Sequence, residues 1–320
     1  MCADVDIGVG PAPRPPPPPP PPAAPRRRAR IRGPRRFALV LALLASCDRG
    51  HTTAPTTRPA NPTIASTVPA VTDLIIGMGA RDRLVAVSTY DRDRADVGAM
   101  PKAGDYDTVD WELLATLRPA VLITAIAPDR RPAGFRERAA GLHIALDNVQ
   151  VNKLDDLDPA LAKIGEALDE PALATAAERR MHDRFDAVRH RVAGLQPVPA
   201  LILHSGDASA VAGPGTYLDD LLTLAGGRNA AASLGQPWPT VDRETLASLH
   251  PDVVLLLLPN ATPAAVAAAT ATWDRMPGRR RLCVITDDYA LQPGWHLPDL
   301  ADRFTECLHP SPSTTRPADR

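Results

Sequence analysis

Aromatic residues are scarce, with Phe, Trp and Tyr together making up 4% of 320 residues, so a ring placed in a loop calls for a reason. The four cysteines are well separated and form no Cys-x-x-Cys pair, which removes zinc-ribbon and dithiol redox readings. The eight histidines are equally scattered, without a His-x-His or His-Glu-x-x-His pair. No apolar run approaches the roughly 20 residues of a membrane-spanning helix. Net charge is also lacking, since 36 Lys and Arg face 37 Asp and Glu. That balance is uneven along the chain. Residues 1–46 carry eight basic and two acidic side chains, so residues 47–320 carry 28 and 35, a balance of −7. An acidic body argues against nucleic acid or an anionic membrane surface as partner. With 44% hydrophobic and 23% charged residues, what remains is globular and long enough for two modest lobes.

The first 46 residues read as a leader. A proline run, Pro15 to Pro22, is followed by a basic cluster from Arg26 to Arg36, and then by nine apolar residues, Phe37 to Ala45. The length suits a signal-peptide core. The segment ends in Leu44-Ala45-Ser46-Cys47, which resembles the lipobox of bacterial lipoproteins. That resemblance implies cleavage before Cys47, diacylation of its thiol, and a mature chain held by lipid at the outer face of the cytoplasmic membrane. Two acyl chains anchor stably where one is marginal. Residues 47–62, rich in Thr, Pro and Ala, are expected to be a tether, and 310–320 a solvated tail.

An internal repeat decides the architecture. TVDWELLATLRPAVLI at 108–123 and TVDRETLASLHPDVVL at 240–255 share nine of sixteen positions at a constant offset of 132. Asp110 and Asp242 are placed to cap a helix whose first turn holds Glu112 or Glu244, and Pro119 and Pro251 close those helices. Buried strands are expected at 120–126 and 253–258, with further strands at 84–88, 142–146, 200–204 and 282–286. Strands alternating with helices predict an α/β fold of two lobes, 63–157 and 196–309, each with a parallel sheet and with a ligand cleft between them. Between the lobes, the apolar spacing from Leu161 to Val188 predicts one long linking helix over 158–195, bent near Pro171. A helical link is stiff, so large hinge closure is not expected.

Tyr106 and Trp238 also lie 132 apart, each just before a capped helix. Equivalent loops of pseudo-twofold lobes face each other, so two amphipathic rings there would grip a large flat ligand.

The residues that carry a family resemblance are Ser88–Asp91, Thr108–Pro119, Gly213–Asn229, Pro237–Glu244 and Thr286–Tyr289, in that order and spacing. Together they resemble the substrate-binding proteins of ATP-driven importers for cobalamin, iron–siderophores and haem, over roughly residues 63–309. The Pro-Trp-Pro…Arg-Glu run is most similar to the cobalamin-binding members. The resemblance implies a monomeric extracytoplasmic receptor that delivers a cobalamin or related corrinoid to a permease dimer with its ATPase, a ferric siderophore or haem being the alternative cargo. It implies no cofactor of the protein's own, no nucleic-acid partner, and membrane attachment through the N-terminal lipid alone. It assigns Tyr106 and Trp238 to the ligand wall and adds Tyr90, Asp288 and Tyr289. It also implies that Glu112 and Glu244 dock on basic patches of the permease, a role the repeat itself supports by placing a carboxylate at the same site in both lobes. Two departures stand out: Gln292 occupies a place where cobalamin binders tend to have Arg, and position 225, which would pair with Cys307 in some of them, is Ala. Cys283 and Cys307 are thereby left without an assigned pairing. Trp295 and His296 read either as an extra ligand wall or as surface.

A metal-ion receptor would need several His and carboxylates from both lobes, and the sequence assembles no such set. His204, after a buried strand, is the one candidate for contact with an iron or cobalt centre, or else makes a strand-end hydrogen bond. The enzyme alternative is a chelatase-like protein of the same two-lobed build. His204-Ser-Gly-Asp207 has the residue types of a nucleophile and base, but sequence neighbours at a strand end do not make a triad. Gly213-Pro-Gly215 reads as a tight turn opening a helix at 216–224.

Overall fold

In a computed structural model, residues 61–91, 95–126, 129–206, 209–275 and 280–310 are described. The leader, Cys47, Asp207 and nearly all of the tether and tail lie outside them. Five strands form the first sheet: β1 (Ile64–Ser66), β2 (Leu84–Ser88), β3 (Lys102–Gly104), β4 (Val121–Thr124) and β5 (Ala145–Asn148). All pair in parallel in the order β3-β2-β1-β4-β5, connected through helices α1 (Pro69–Gly77), α2 (Trp111–Leu117) and α3 (Phe135–Gly141). Helices α4 (Leu157–Leu168) and α5 (Pro171–Val192) follow. The second sheet is also parallel, β7-β6-β8-β9, from β6 (Val198–Leu203), β7 (Gly227–Asn229), β8 (Val253–Leu257) and β9 (Arg281–Ile285). It alternates with α6 (Tyr217–Leu224), α7 (Arg243–Ser248), α8 (Pro263–Asp274) and α9 (Leu297–Leu308).

The repeat folds as its sequence dictates. Asp110 Oδ1 accepts from the Leu113 amide at 2.9 Å, and Asp242 Oδ1 from the Thr245 amide at 2.8 Å, so each short helix has its capping bond. Leu114 and Leu246, again 132 apart, are both buried beneath their helices, each worth about 1.5–3 kcal/mol of apolar transfer. Arg118 and His250 take left-handed backbone angles (φ 47° and 48°) directly before the proline that follows the helix in each copy.

Three strands lack a sequence signal. Ile-Ala-Ser, Lys-Ala-Gly and Gly-Arg-Asn (β1, β3, β7) are three residues long with at most one β-branched side chain, and only their neighbours make them strands. The strand expected at 142–146 begins at Ala145, because Leu142 caps α3 and His143 has φ 57°.

The single linking helix is corrected to two. Asp169 ends α4 in the left-handed conformation (φ 58°), and Glu170, kept out of the helical region by the following Pro171, has a non-helical backbone (φ −134°, ψ 60°) before α5 restarts. A Cβ on Gly165 would lie 2.6 Å from the Ala174 Cβ, so glycine lets the two helices close on each other at the corner. The 22-residue α5 then touches both lobes. Arg180 donates to the Gly77 carbonyl of α1 (3.2 Å) and lies 4.8 Å over the Trp295 ring, while Arg184 pairs with Asp299 of α9 at 2.7 Å. One apolar core runs through α1, α4, α5, α6 and α9 and covers the facing sides of both sheets, and each sheet has a smaller cluster on its outer face.

Candidate functional site

Four aromatic side chains line the crevice at the carboxyl ends of the strands, and the local folding of each is traceable. Tyr90 follows β2 in a single helical turn. Its amide donates to Ser88 Oγ (3.2 Å), and the buried Asp91 carboxylate anchors the turn by accepting from the Ser88 amide (3.1 Å) and Thr72 Oγ1 (2.9 Å). Tyr106 sits in a turn that follows β3. Asp105 Oδ1 accepts from the Asp107 amide, the Thr108 amide and Thr108 Oγ1 at 2.8–3.0 Å, and these donors hold its carboxyl below the usual range. Gly104 underlies that turn with φ 127°, and a Cβ there would meet the Thr108 carbonyl at 2.1 Å.

Trp238 is held by main chain instead. The Val211 amide donates to Pro239 O (3.1 Å), the Gly213 amide to Pro237 O (2.8 Å) and the Val241 amide to Ser209 O (2.9 Å), laying 237–241 antiparallel to 209–213. A Cβ on Gly213 would come within 1.9 Å of Gln236 O, so this approach requires glycine. The expected turn over Gly213-Pro-Gly215 does open α6, where Thr216 accepts from the Asp219 amide at 3.1 Å.

The structure brings Tyr90 and Tyr106 together (centroids 5.7 Å) and sets Trp238 6.2 Å from Tyr217. Tyr217 is the residue that sequence reasoning missed. It is only 5% exposed and counts as core, yet its phenol senses that of Tyr106, which helps burial to push its pKa upward. Tyr106 is raised as well, by desolvation first and then by Asp91 and Tyr90, so both phenols remain neutral donors. The one sequence signal for Tyr217 was the first position of a capped helix after Gly-Pro-Gly. By contrast Tyr90, Tyr106 and Trp238 are 59%, 45% and 49% exposed, three of the four large apolar side chains at the surface among the described residues. His204 stands edge-on to Trp238 at 5.3 Å. Its Nε2 is buried without a hydrogen-bond partner, and burial lowers its pKa.

Asp288 and Tyr289 lie on the loop between β9 and α9. Tyr289 stacks on His296 (4.9 Å), lines a separate 190 Å³ cavity with Asp73 and Asp288, and has its phenol pushed up to about 12 by burial and by Asp287. Trp295 and His296 turn out to be inter-lobe contacts: the Trp295 amide donates to Asp73 Oδ2 of α1 at 2.6 Å, and the His296 ring lies between Asp73 and Asp299. On the other flank the Tyr217 amide donates to Asn152 O (2.7 Å) and the Leu154 amide to Asp220 Oδ2 (2.9 Å). Lobes tied on both flanks and along α5 form a stiff frame. Cys283 and Cys307 are joined as a disulfide, linking β9 to α9. Glu112 and Glu244 are exposed in the first turns of α2 and α7. Among the described residues no cluster of three or more His, Cys, Asp or Glu is placed to hold a metal ion, and no helix is long and apolar enough to cross a membrane.

Two parallel-sheet lobes on a helical strap, with an aromatic crevice between them, define a two-lobed solute-binding protein. The chain belongs to the periplasmic binding protein family, which it matches over residues 64–287. Members of that family bind small ligands outside the cytoplasm and work with the permease and ATPase of ABC transporters. A vitamin B12-binding protein of Yersinia pestis is 23% identical over 211 residues, 66% of this chain and 73% of its own length. A periplasmic heme binding protein of Pseudomonas aeruginosa has the same fold with a TM-score of 0.67 and 24% identity, covering 78% of this chain and 94% of that one. A periplasmic vitamin B12 binding protein of Vibrio cholerae gives 0.61 and 20%, covering 78% and 96%.

Proposed function

We propose that this protein is the extracytoplasmic receptor that delivers a cobalamin or related corrinoid to an ABC importer. The observation that carries the reading is the row Tyr90, Tyr106, Tyr217 and Trp238, which spans the crevice and holds three of its four rings open to solvent. Exposed rings gathered in one place, in a chain so poor in aromatics, mark a surface for a ligand to cover. Stacking on them requires no strong charge, which suits an acidic protein and a near-neutral macrocycle. The vitamin B12-binding relatives point the same way. Haem or a ferric siderophore is the second reading, favoured by the fold likeness to a heme binding protein. These relatives are binding proteins, which favours a receptor over the chelatase-like alternative.

The disulfide suits an oxidising compartment, and Cys47 is the proposed lipid anchor. Glu112 and Glu244 are proposed to meet equivalent basic patches on a twofold permease dimer. Titration calorimetry with cyanocobalamin, haemin and a panel of ferric siderophores tests the cargo. Tight binding of a siderophore or haemin with none of any corrinoid would overturn the first reading. Labelling with palmitate in the native host tests the anchor: the parent should be labelled and Cys47→Ser not.

A further inference from the structure

Beside Tyr106 the crevice opens into a cavity of about 320 Å³ in the N-terminal lobe. Its lining comes from the segments that leave three parallel strands: Tyr106 and Asp107 after β3, Ala125, Ile126 and Arg130 after β4, and Gln150 after β5. Crevices outside the carboxyl ends of parallel strands are where open α/β sheets take ligands. This one is continuous with the aromatic row through Tyr106. Besides the Tyr106 phenol, its polar side chains are an exposed guanidinium, an exposed carboxylate and an amide, and among the described residues no ion pair joins Arg130 to Asp107. The Asp107 backbone is tied down through its amide to Asp105 Oδ1, and the Gln150 side chain is fixed by donating to the Ala125 carbonyl. Charges that share a cavity without pairing are both free to meet a third group.

We propose that this cavity is a subsite for neutral carboxamide substituents on the rim of the ligand, resting on the corrinoid reading above. A primary carboxamide presents a carbonyl oxygen that accepts from Arg130 and an NH₂ that donates to Asp107. A carboxylate in the same place gains Arg130 but meets Asp107 with like charge and offers it no proton. The subsite therefore selects macrocycles edged with amides over those edged with acids. Two charges of opposite sign make the cavity neutral as a whole, so it offers no general attraction for anions.

The test compares cyanocobalamin with monocarboxylic acid derivatives in which one peripheral amide has been hydrolysed, using calorimetry on the purified protein. Intact cyanocobalamin should bind more tightly than at least one monoacid. Asp107→Asn should narrow that gap about tenfold, because it removes the repulsion, and Arg130→Ala should weaken both ligands about tenfold. Both side chains are exposed, so thermal midpoints should not move, and Trp238→Ala serves as the control for the crevice. If cyanocobalamin binds and neither Asp107→Asn nor Arg130→Ala changes either affinity by more than twofold, the subsite is wrong while the corrinoid reading stands. If no corrinoid binds while haemin or a siderophore does, both fall.

Discussion

Tyr106 and Trp238 occupy the same place in two copies of one repeat, yet the two lobes hold them by different means. In the first lobe the loop leaves an edge strand, β3, and is bent by a carboxylate that collects three donors. In the second, no strand among the described residues matches β3. The loop lies against 209–213 through main-chain bonds, with a proline on either side of the tryptophan. The scaffold around them is the same in both: an Asp cap, a Glu in the first turn, a buried Leu, and a left-handed residue before Pro. Features that make the helix fold persist in both copies, while the walls of the crevice have diverged. That pattern fits the proposed roles, a symmetric permease on the outside of the frame and an asymmetric ligand on its inside.

The largest effect should come from breaking the symmetry that is shared. Charge reversal at both Glu112 and Glu244 to Lys should abolish uptake in cells yet leave ligand affinity in solution unchanged, and the two single reversals should impair uptake to a similar degree. Transport that survives the double reversal would reduce both carboxylates to partners of the helix dipole.

Next come the walls. Trp238→Ala should weaken ligand binding by about 2 kcal/mol, roughly thirtyfold in Kd, and Tyr106→Ala by less, because the smaller ring covers less of the ligand. Equal losses, measured by calorimetry, would mean that the lobes share the ligand evenly.

The supports differ in chemistry, and a methyl group can probe one of them. Gly213→Ala should cost about 1–3 kcal/mol in urea unfolding, because the new Cβ would press on the Gln236 carbonyl, a main-chain atom with little room to yield. It should also lower affinity by displacing Trp238, although residue 213 need not touch the ligand.

The smallest effect is in pH dependence, at His204 in the C-terminal lobe. Burial lowers the His204 pKa below its ordinary value, so between that value and the folded one the unfolded chain binds more protons. The contribution of His204 to stability is thus constant above about pH 6.5 and falls as the pH drops through the folded pKa. His204→Gln should flatten that limb in denaturant titrations across pH 4–7, and an unchanged limb would show that other groups carry it.

The sequence by itself determined what depends on local chemistry and on repetition. Caps at Asp110 and Asp242, prolines after α2 and α7, the strongly apolar strands β4 and β8, and the equivalence of Tyr106 with Trp238 are all written in one alignment of the chain with itself. Each arises from neighbours a few residues apart or from a constant offset, so three-dimensional context is not needed to see them. Only the tertiary structure decided the rest. β1 is the central strand of its sheet, although Ile-Ala-Ser carries little strand preference; β2 and β4 on either side supply its hydrogen bonds. Tyr217 reads as an ordinary buried ring until α6 is placed opposite Tyr106. Cys283 and Cys307 lie 24 residues apart, and their pairing follows from β9 and α9 packing side by side, with Cα atoms 6.0 Å apart. Trp295 and His296 become inter-lobe contacts only because α1 presents a buried carboxylate from 222 residues earlier in the chain. Such contacts join distant segments through the closing of the fold, and nothing in the local pattern of either segment encodes its partner.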